Sequence, residues 1–321
     1  MDTIRSFLDT HWDQASPLLL GYSGGPDSKA LLYALLEAGC STLHLAHFDH
    51  GWRPESQDEQ RAVEREAEEL RLPLYTGKTD NTNARDENSA RQARWKFFEH
   101  VYNQAPFQAL LLAHHADDQA ETVLKRVFEG AQLISCIGMR PWVQKGSMTV
   151  WRPLVSTPRL DLVAYLEAKN LCGFDDASNR DPRYLRSRCK SHLIPTLAAH
   201  FGKEIDLNLC LLAERCTELK EYLDERIQSI PTTTTERGIQ GDLSAAHPLE
   251  QKHWLLQQIS LPRRLLKIVL TWVKDKECNK EINWQMTCIR VQNGVVFVES
   301  PLPTDVPSVM GTKNRTPPFT L

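Results

Sequence analysis

Along this chain, short apolar runs alternate with longer stretches in which apolar residues recur every three or four positions. Between about residues 17 and 155, four runs have the length and composition of buried strands: PLLLGY, TLHLAHF, LPLYTG and QALLLAHH. Each ends in polar residues. Helical periodicity fills the gaps, in SKALLYALLEAG, ESQDEQRAVEREAEEL, ENSARQARWKFFEHVY and DQAETVLKRVFEG. Strands that alternate with helices form a parallel sheet covered on both faces. The expected fold is therefore α/β, a doubly wound and mostly parallel sheet over residues 1–203.

Beyond Thr157-Pro158, which opens the helical pattern RLDLVAYLEAKN, the reading changes. HLIPTLAAHFG leads into a long amphipathic stretch, EIDLNLCLLAERCTELKEYLDERIQSI, which Pro231 and four threonines end. Residues 204–321 then read as a smaller, mainly helical region. Its helical patches are HWLLQQI and LPRRLLKIVLTWV, and one hairpin, CIRVQNGVVFVES, turns at Asn293-Gly294. The tail from Ser300 carries five prolines and reads as poorly ordered.

Composition narrows the classes. The 321 residues are 41% hydrophobic and 25% charged, ordinary for a globular chain of about two domains. No run approaches the roughly 20 apolar residues that cross a bilayer, and MDTIRSFLD lacks a signal peptide's basic start and apolar core. Eight cysteines stand singly with no C-x-x-C pair, which reads as reduced thiols in a cytoplasmic protein. The net charge of −3 leaves any nucleic-acid partner to a local basic patch. The densest such run is RDPRYLRSRCK, with Arg180, Arg183, Arg186, Arg188 and Lys190 against one acid. It is the natural candidate for phosphate contacts, with solvated loop charge as the alternative.

The first strand ends in SGGPDS, from Ser23 to Ser28. Gly24 and Gly25 permit positive φ and close approach to a ligand, Pro26 stiffens the turn, and Asp27 or Ser28 can cap the following helix. Amides at that helix start, with the hydroxyls of Ser23 and Ser28, make a cradle for phosphate. A plain strand-to-helix turn uses the same residues. The loop is not a Walker A motif, since no G-K-[ST] follows. Two further polar clusters, HFDHGWRPES and HHADDQAET, fall at strand ends, where open α/β sheets bind ligands. Asp117, Asp118 and Glu121 read either as a first-turn charge preference or as a Mg²⁺ site for ATP phosphates. Zinc lacks properly placed soft ligands.

Taken together, SGGPDS, HFDHGWRPES, ARQARWKFF, HHADDQAET, Gly138-Met139, Arg152-Pro153-Leu154, DASN and RSRCKSHLIP resemble the tRNA(Ile)-lysidine synthetase family of PP-loop ATP pyrophosphatases. The resemblance covers roughly residues 15–200. It departs at Trp52 (usually Leu), Ser187 (Asn), Lys190 (Arg) and Ser191 (His), and the C-terminal region is short beside longer members.

The resemblance implies ATP and Mg²⁺, free L-lysine, and a tRNA(Ile) with a CAU anticodon. ATP adenylates the carbonyl oxygen of the wobble cytosine and releases pyrophosphate; the lysine ε-amine then displaces AMP. It assigns Ser23, Gly24, Gly25, Pro26, Asp27, Ser28 and His47 to ATP, and Asp118 with Asp117 to the metal. Asp118, Glu121, Asp49 and Arg186 are the catalytic candidates, Glu121 and Asp49 as acceptors of the amine's proton. Trp52, Arg53, Arg91, Arg94, Arg188 and Lys190 are the substrate or tRNA contacts, with Trp52 or Trp95 as the platform for the flipped base and a buried core position as the first reading of Trp95. For Arg91 and Arg94 a surface salt-bridge role competes. A tRNA thiolase, a small-molecule adenylating amide synthetase and an inactive RNA-binding module are the rivals. Isolated cysteines, no glutaminase-like nucleophile domain and the intact acids respectively count against them. Oligomeric state is open, a homodimer included.

Overall fold

Leu18, Leu19 and Leu20 are all fully buried, yet they serve different cores, because successive side chains of a strand point to opposite faces. Leu18 and Leu20 pack with Leu31, Leu35, Leu43, Leu45 and Leu111 on one face; Leu19 packs with Ala46, Phe98, Leu110 and Val150 on the other. A sheet buried on both sides explains why the strands read as unbroken apolar runs. Each such leucine contributes about 1.5–3 kcal/mol by leaving water.

The structure is a computed structural model and describes residues 2–51, 56–79, 87–173, 185–275 and 278–299. Helix α1 (Asp2–His11) precedes strand β1 (Leu18–Gly21). The chain continues through α2 (Pro26–Glu37), β2 (Leu43–Asp49), α3 (Ser56–Glu69), β3 (Leu74–Lys78) and α4 (Glu87–Tyr102). Then follow β4 (Ala109–Leu111), α5 (Ala116–Phe128), β5 (Trp142–Lys145), β6 (Met148–Trp151) and α6 (Arg159–Ala168). The sheet order is β3-β2-β1-β4-β6-β5, parallel except for the β5–β6 hairpin. Helix α1 and the hairpin were not read from the sequence. Short α7 (Leu185–Arg188), a wide turn over Cys189–Leu193 and α8 (Ile194–Phe201) lead to the long α9 (Ile205–Gln228).

The chain divides into two compact units, Met1–Thr217 and Glu218–Leu321, so the boundary falls inside α9 rather than at residue 203. The second unit has more strand than its sequence suggested. Around the expected hairpin, β10 (Thr287–Gln292) and β11 (Val295–Glu299), stand β7 (Thr232–Thr235), β8 (Gly238–Asp242) and β9 (Asn279–Trp284). They form an antiparallel sheet ordered β7-β8-β11-β10-β9. Its inward residues Ile289, Val291, Val296 and Val298 pack on Trp254, Leu255, Leu266 and Val269 of α10 (Pro248–Gln258) and α11 (Arg263–Lys274). The four threonines read as a helix stop are the edge strand β7, exposed along its length. Asn293 (φ 51°) and Gly294 (φ 84°) make the hairpin turn with positive φ at both central positions, as type I′ requires. Residues 300–321 lie outside the described part. No helix among the described residues is long and apolar enough to cross a membrane.

Candidate active site

Strand β1 lies between β2 and β4, so chain connections diverge from it in opposite directions. A doubly wound sheet opens its crevice there, beyond the strands' carboxyl ends. Two loops meet at this point, SGGPDS after β1 and His114–Asp118 after β4. His115 Nε2 lies 3.6 Å from Asp27 Oδ2, which brings them together.

The first loop is tied to itself. Gly25 N donates to Ser23 Oγ (3.3 Å), Ser23 N donates to Ser28 Oγ (3.3 Å), and Ser28 Oγ donates to the Gly25 carbonyl (3.0 Å). Gly24 takes φ +77°, where a side chain is strained. Gly25, not Asp27 or Ser28, is the N-cap: Pro26 starts the helix at its favoured first position and places both expected cap residues inside the first turn. The first-turn amides there have no intrahelical carbonyl to bind, which is the property a phosphate uses. His47, buried on β2, donates from Nδ1 to the Tyr22 carbonyl (3.0 Å), so it positions the residue before the loop.

The second loop gathers charge. His115 is 1% exposed and faces three carboxylates, Asp27, Asp117 and Asp118, each at 3.6 Å. Burial disfavours its cation, but Asp117, Asp27 and Asp118 outweigh burial and raise its pKa to about 9. Burial likewise pushes Asp117 up, yet His115, the Arg159 amide and the charge of Lys190 bring it down to about 2. Arg159 serves twice: its amide donates to Asp117 Oδ1 (3.1 Å), and its Nε lies 3.3 Å from Asp27 Oδ1. Asp118 accepts the His115 amide (3.1 Å), the acidic end of a cap on α5. Glu121, one turn on, is buried at 5% exposure.

The basic segment reaches this helix. The turn after α7 packs on α5: charge from Glu121 and Arg188 is felt by buried Cys189, and that of Lys190 by Asp117. Ser191, where the resemblance expects His, donates to the Ser187 carbonyl (2.8 Å) and so serves the turn. Lys190 thus stands near Asp117, while Arg188 is exposed one residue before Cys189; Arg186 lies in α7, its side chain outside the described residues, as are Trp52 and Arg53.

Arg91 and Arg94 belong to a second cationic group. Burial first, then the charges of Arg91, Arg152 and Arg94, hold Lys145 below its ordinary range, with Glu99 opposing. Lys145 Nζ sits 3.3 Å over the Trp95 ring. Arg152 is 8% exposed, donates to the Arg140 carbonyl (3.1 Å), and its Nε has no hydrogen-bond partner among the described residues. Trp95 also packs edge-on to Phe98, so the ring is partly core. Asp49 ends β2 with its carboxylate accepting the Gly51 amide (2.7 Å) and facing Lys78 at 3.7 Å, an arrangement that shapes its own loop.

Sequence reasoning passed over His115, Arg159, Lys145 and Arg152 as site residues. The paired histidines and Arg152-Pro153-Leu154 were signals; nothing local marks Arg159 or Lys145. Among the described residues no group of three or more His, Cys, Asp or Glu is disposed to hold a metal. Asp117 and Asp118 nonetheless offer hard oxygens, the donor set for Mg²⁺, which commonly binds one or two carboxylates and takes its other ligands from phosphates and water.

The sheet and the SGGPDS loop at its switch point fall within a PP-loop domain, whose family matches residues 2–197. A tRNA(Ile)-lysidine synthase of Chlamydia pneumoniae is 34% identical over 88% of this chain and 89% of its own length. One from Chlamydia muridarum is 38% identical over 67% and 68%. The chain belongs to the tRNA(Ile)-lysidine synthase family of PP-loop proteins. A solved U34-tRNA thiolase from Methanococcus maripaludis shares the fold, at 18% identity and a TM-score of 0.53 over 68% of this chain and 79% of that one.

Proposed function

We propose that the chain ligates free L-lysine to the wobble cytidine of a tRNA(Ile) bearing a CAU anticodon, at the expense of ATP. One observation carries the reading: the SGGPDS loop and the acidic start of α5 meet through His115 and Asp27 at the sheet's switch point. The cytosine carbonyl oxygen attacks the α-phosphate, pyrophosphate leaves, and the lysine amine then attacks the activated carbon and expels AMP. Pyrophosphate is received by the first-turn amides of α2, with Gly24, Gly25 and the hydroxyls of Ser23 and Ser28 about them. Asp118, with Asp117, would hold Mg²⁺, which supplies charge neutralisation to the phosphates.

Glu121, one turn from Asp118, is the acceptor for the amine's proton, with Asp49, which shapes its own loop, as the alternative. Lys190, near Asp117, meets the α-phosphate or the tRNA backbone, and Arg186 and Arg188 join it on sequence grounds. Arg91, Arg94 and Lys145 form a cationic patch suited to RNA phosphate, with Arg152 buried beside it. Trp52 and Arg53 keep their assignment as contacts to the tRNA. We assign the nucleotide chemistry and these contacts at the anticodon to the first unit, and further tRNA holding to the second. The eight free cysteines support work in a reducing cytoplasm.

The test incubates the protein with ATP, Mg²⁺, labelled lysine and a CAU-anticodon tRNA(Ile) transcript. Label enters the RNA, and Asp118→Ala lowers its rate by about 10²–10³-fold. Modification that requires a sulfur donor in place of lysine would make the protein a thiolase instead.

A further inference from the structure

The residues that flank the SGGPDS loop share one buried carboxylate. Tyr22, immediately before the loop, donates its hydroxyl to Glu66 Oε2 at 2.5 Å. Lys29, immediately after it, places Nζ 3.0 Å from Glu66 Oε1, and Tyr33 donates to that same oxygen at 3.1 Å. The two charged side chains are each only 11% exposed, and Glu66 reaches them from α3, more than 30 positions away in sequence. Burial and then Glu66 push the Tyr33 phenol up to about 12 and that of Tyr22 higher still, so both remain donors.

Lys29 has a second duty. Its Nζ donates to the carbonyl of Cys172 at 3.0 Å. The next residue, Gly173, lies against the loop: a Cβ there would sit 2.5 Å from Pro26 N and 2.9 Å from the Gly25 carbonyl carbon. Only glycine allows the strand of backbone after α6 to lie this close. The peptide that begins the phosphate cradle is thus held on its inner flanks by Glu66 and covered by Cys172–Gly173.

We propose that Glu66 is a positioning residue for the nucleotide: through Tyr22 and Lys29 it fixes both ends of the Ser23–Ser28 loop, and through Lys29 it holds the Cys172–Gly173 segment on the loop's backbone. The inference rests on the loop binding ATP. A preformed cradle loses little freedom on binding, so loosening it raises the ATP concentration needed without altering the groups that react.

The experiment measures ATP binding by calorimetry, steady-state lysine incorporation and thermal unfolding for the full chain, Glu66→Gln, Gly173→Ala and the double variant Lys29→Met/Glu66→Gln. The double variant removes both buried charges together, which restores stability where a buried pair is merely structural. Expected is a tenfold or greater rise in Kd and KM for ATP in all three, with kcat at saturating ATP within about threefold of wild type. In the double variant the rise persists although its Tm returns to near the wild-type value. Should Glu66→Gln not fold, Gly173→Ala and the double variant decide alone. ATP affinity that is unchanged, or that recovers together with Tm, overturns the proposal and leaves Glu66 a structural residue. A wild-type protein that binds no ATP overturns the underlying reading of the loop instead.

Discussion

Two carboxylate clusters touch the SGGPDS loop, and they are built to different tolerances. Around Glu66 the contacts are short, 2.5 to 3.1 Å, and both carboxylate oxygens accept bonds. Around His115 three carboxylates stand at 3.6 Å each, near enough for charge to act and too far for good hydrogen bonds. The first cluster is saturated by the chain's own groups. The second sets Asp27, Asp117 and Asp118 against the imidazolium, Arg159 and the charge of Lys190, at the point where a phosphate and its cation would arrive. Long contacts of this kind tighten when substrate binds. In the proposed reaction, tightness belongs to the frame and looseness to the chemistry.

That contrast gives its sharpest test in paired variants. Glu66→Ala leaves two phenols without their acceptor and the buried Lys29 ammonium without its counter-charge, and destabilises the fold by about 3–5 kcal/mol, read by urea unfolding. Asp27→Asn costs about 1 kcal/mol in the same assay, because His115 keeps two carboxylates, yet it lowers lysine incorporation by about 100-fold. Equal destabilisation by the two would show that the clusters do not differ in kind.

A smaller effect follows from pH. The folded pKa of His115, about 9, lies above the ordinary 6.5, so its contribution to stability is complete below pH 6.5 and is lost as pH rises through 9. Asp117, lowered to about 2, contributes fully above pH 4 and loses its share as pH falls toward 2. The loss on the alkaline side is on the order of 3 kcal/mol. Unfolding measured from pH 6.5 to 9.5 reveals this slope, and His115→Gln flattens it. An imidazole resonance titrating near 6.5 would contradict the cluster.

The mildest case is Gly24→Ala. At φ +77° an alanine costs about 1–2 kcal/mol, and Tm falls by a few degrees. A Tm that does not change would mean that the loop relaxes to ordinary φ at no cost.

How far the sequence revealed these clusters depends on where their signals lie. SGGPDS and HHADDQAET are local strings, and the apolar strands β1, β2 and β4, buried at the centre of the sheet, announce the fold that presents them. Asp27, Asp117 and Asp118, which meet at His115, were therefore legible. Glu66 sits in a run of charged helical residues and looks like surface; only the fold brings it to Tyr22 and Lys29. Arg159 joins the site by a helix start 42 positions beyond Asp117. Lys145 arrives on a hairpin whose exposed strand, β5, has no apolar alternation to show it. The same reason hid the second sheet: β7 and β9 are edge strands, polar and largely exposed, and only the paired strands β10 and β11 bury alternate residues.

The central claim is that this loop and the loose acids direct attack to the α-phosphate of ATP. The direct measurement separates nucleotide products after mixing the protein with ATP and the CAU-anticodon tRNA(Ile), lysine present. The account predicts AMP and pyrophosphate, one of each for every lysine joined to the RNA. Release of ADP and inorganic phosphate would place the cleaved bond between the outer phosphates and contradict it.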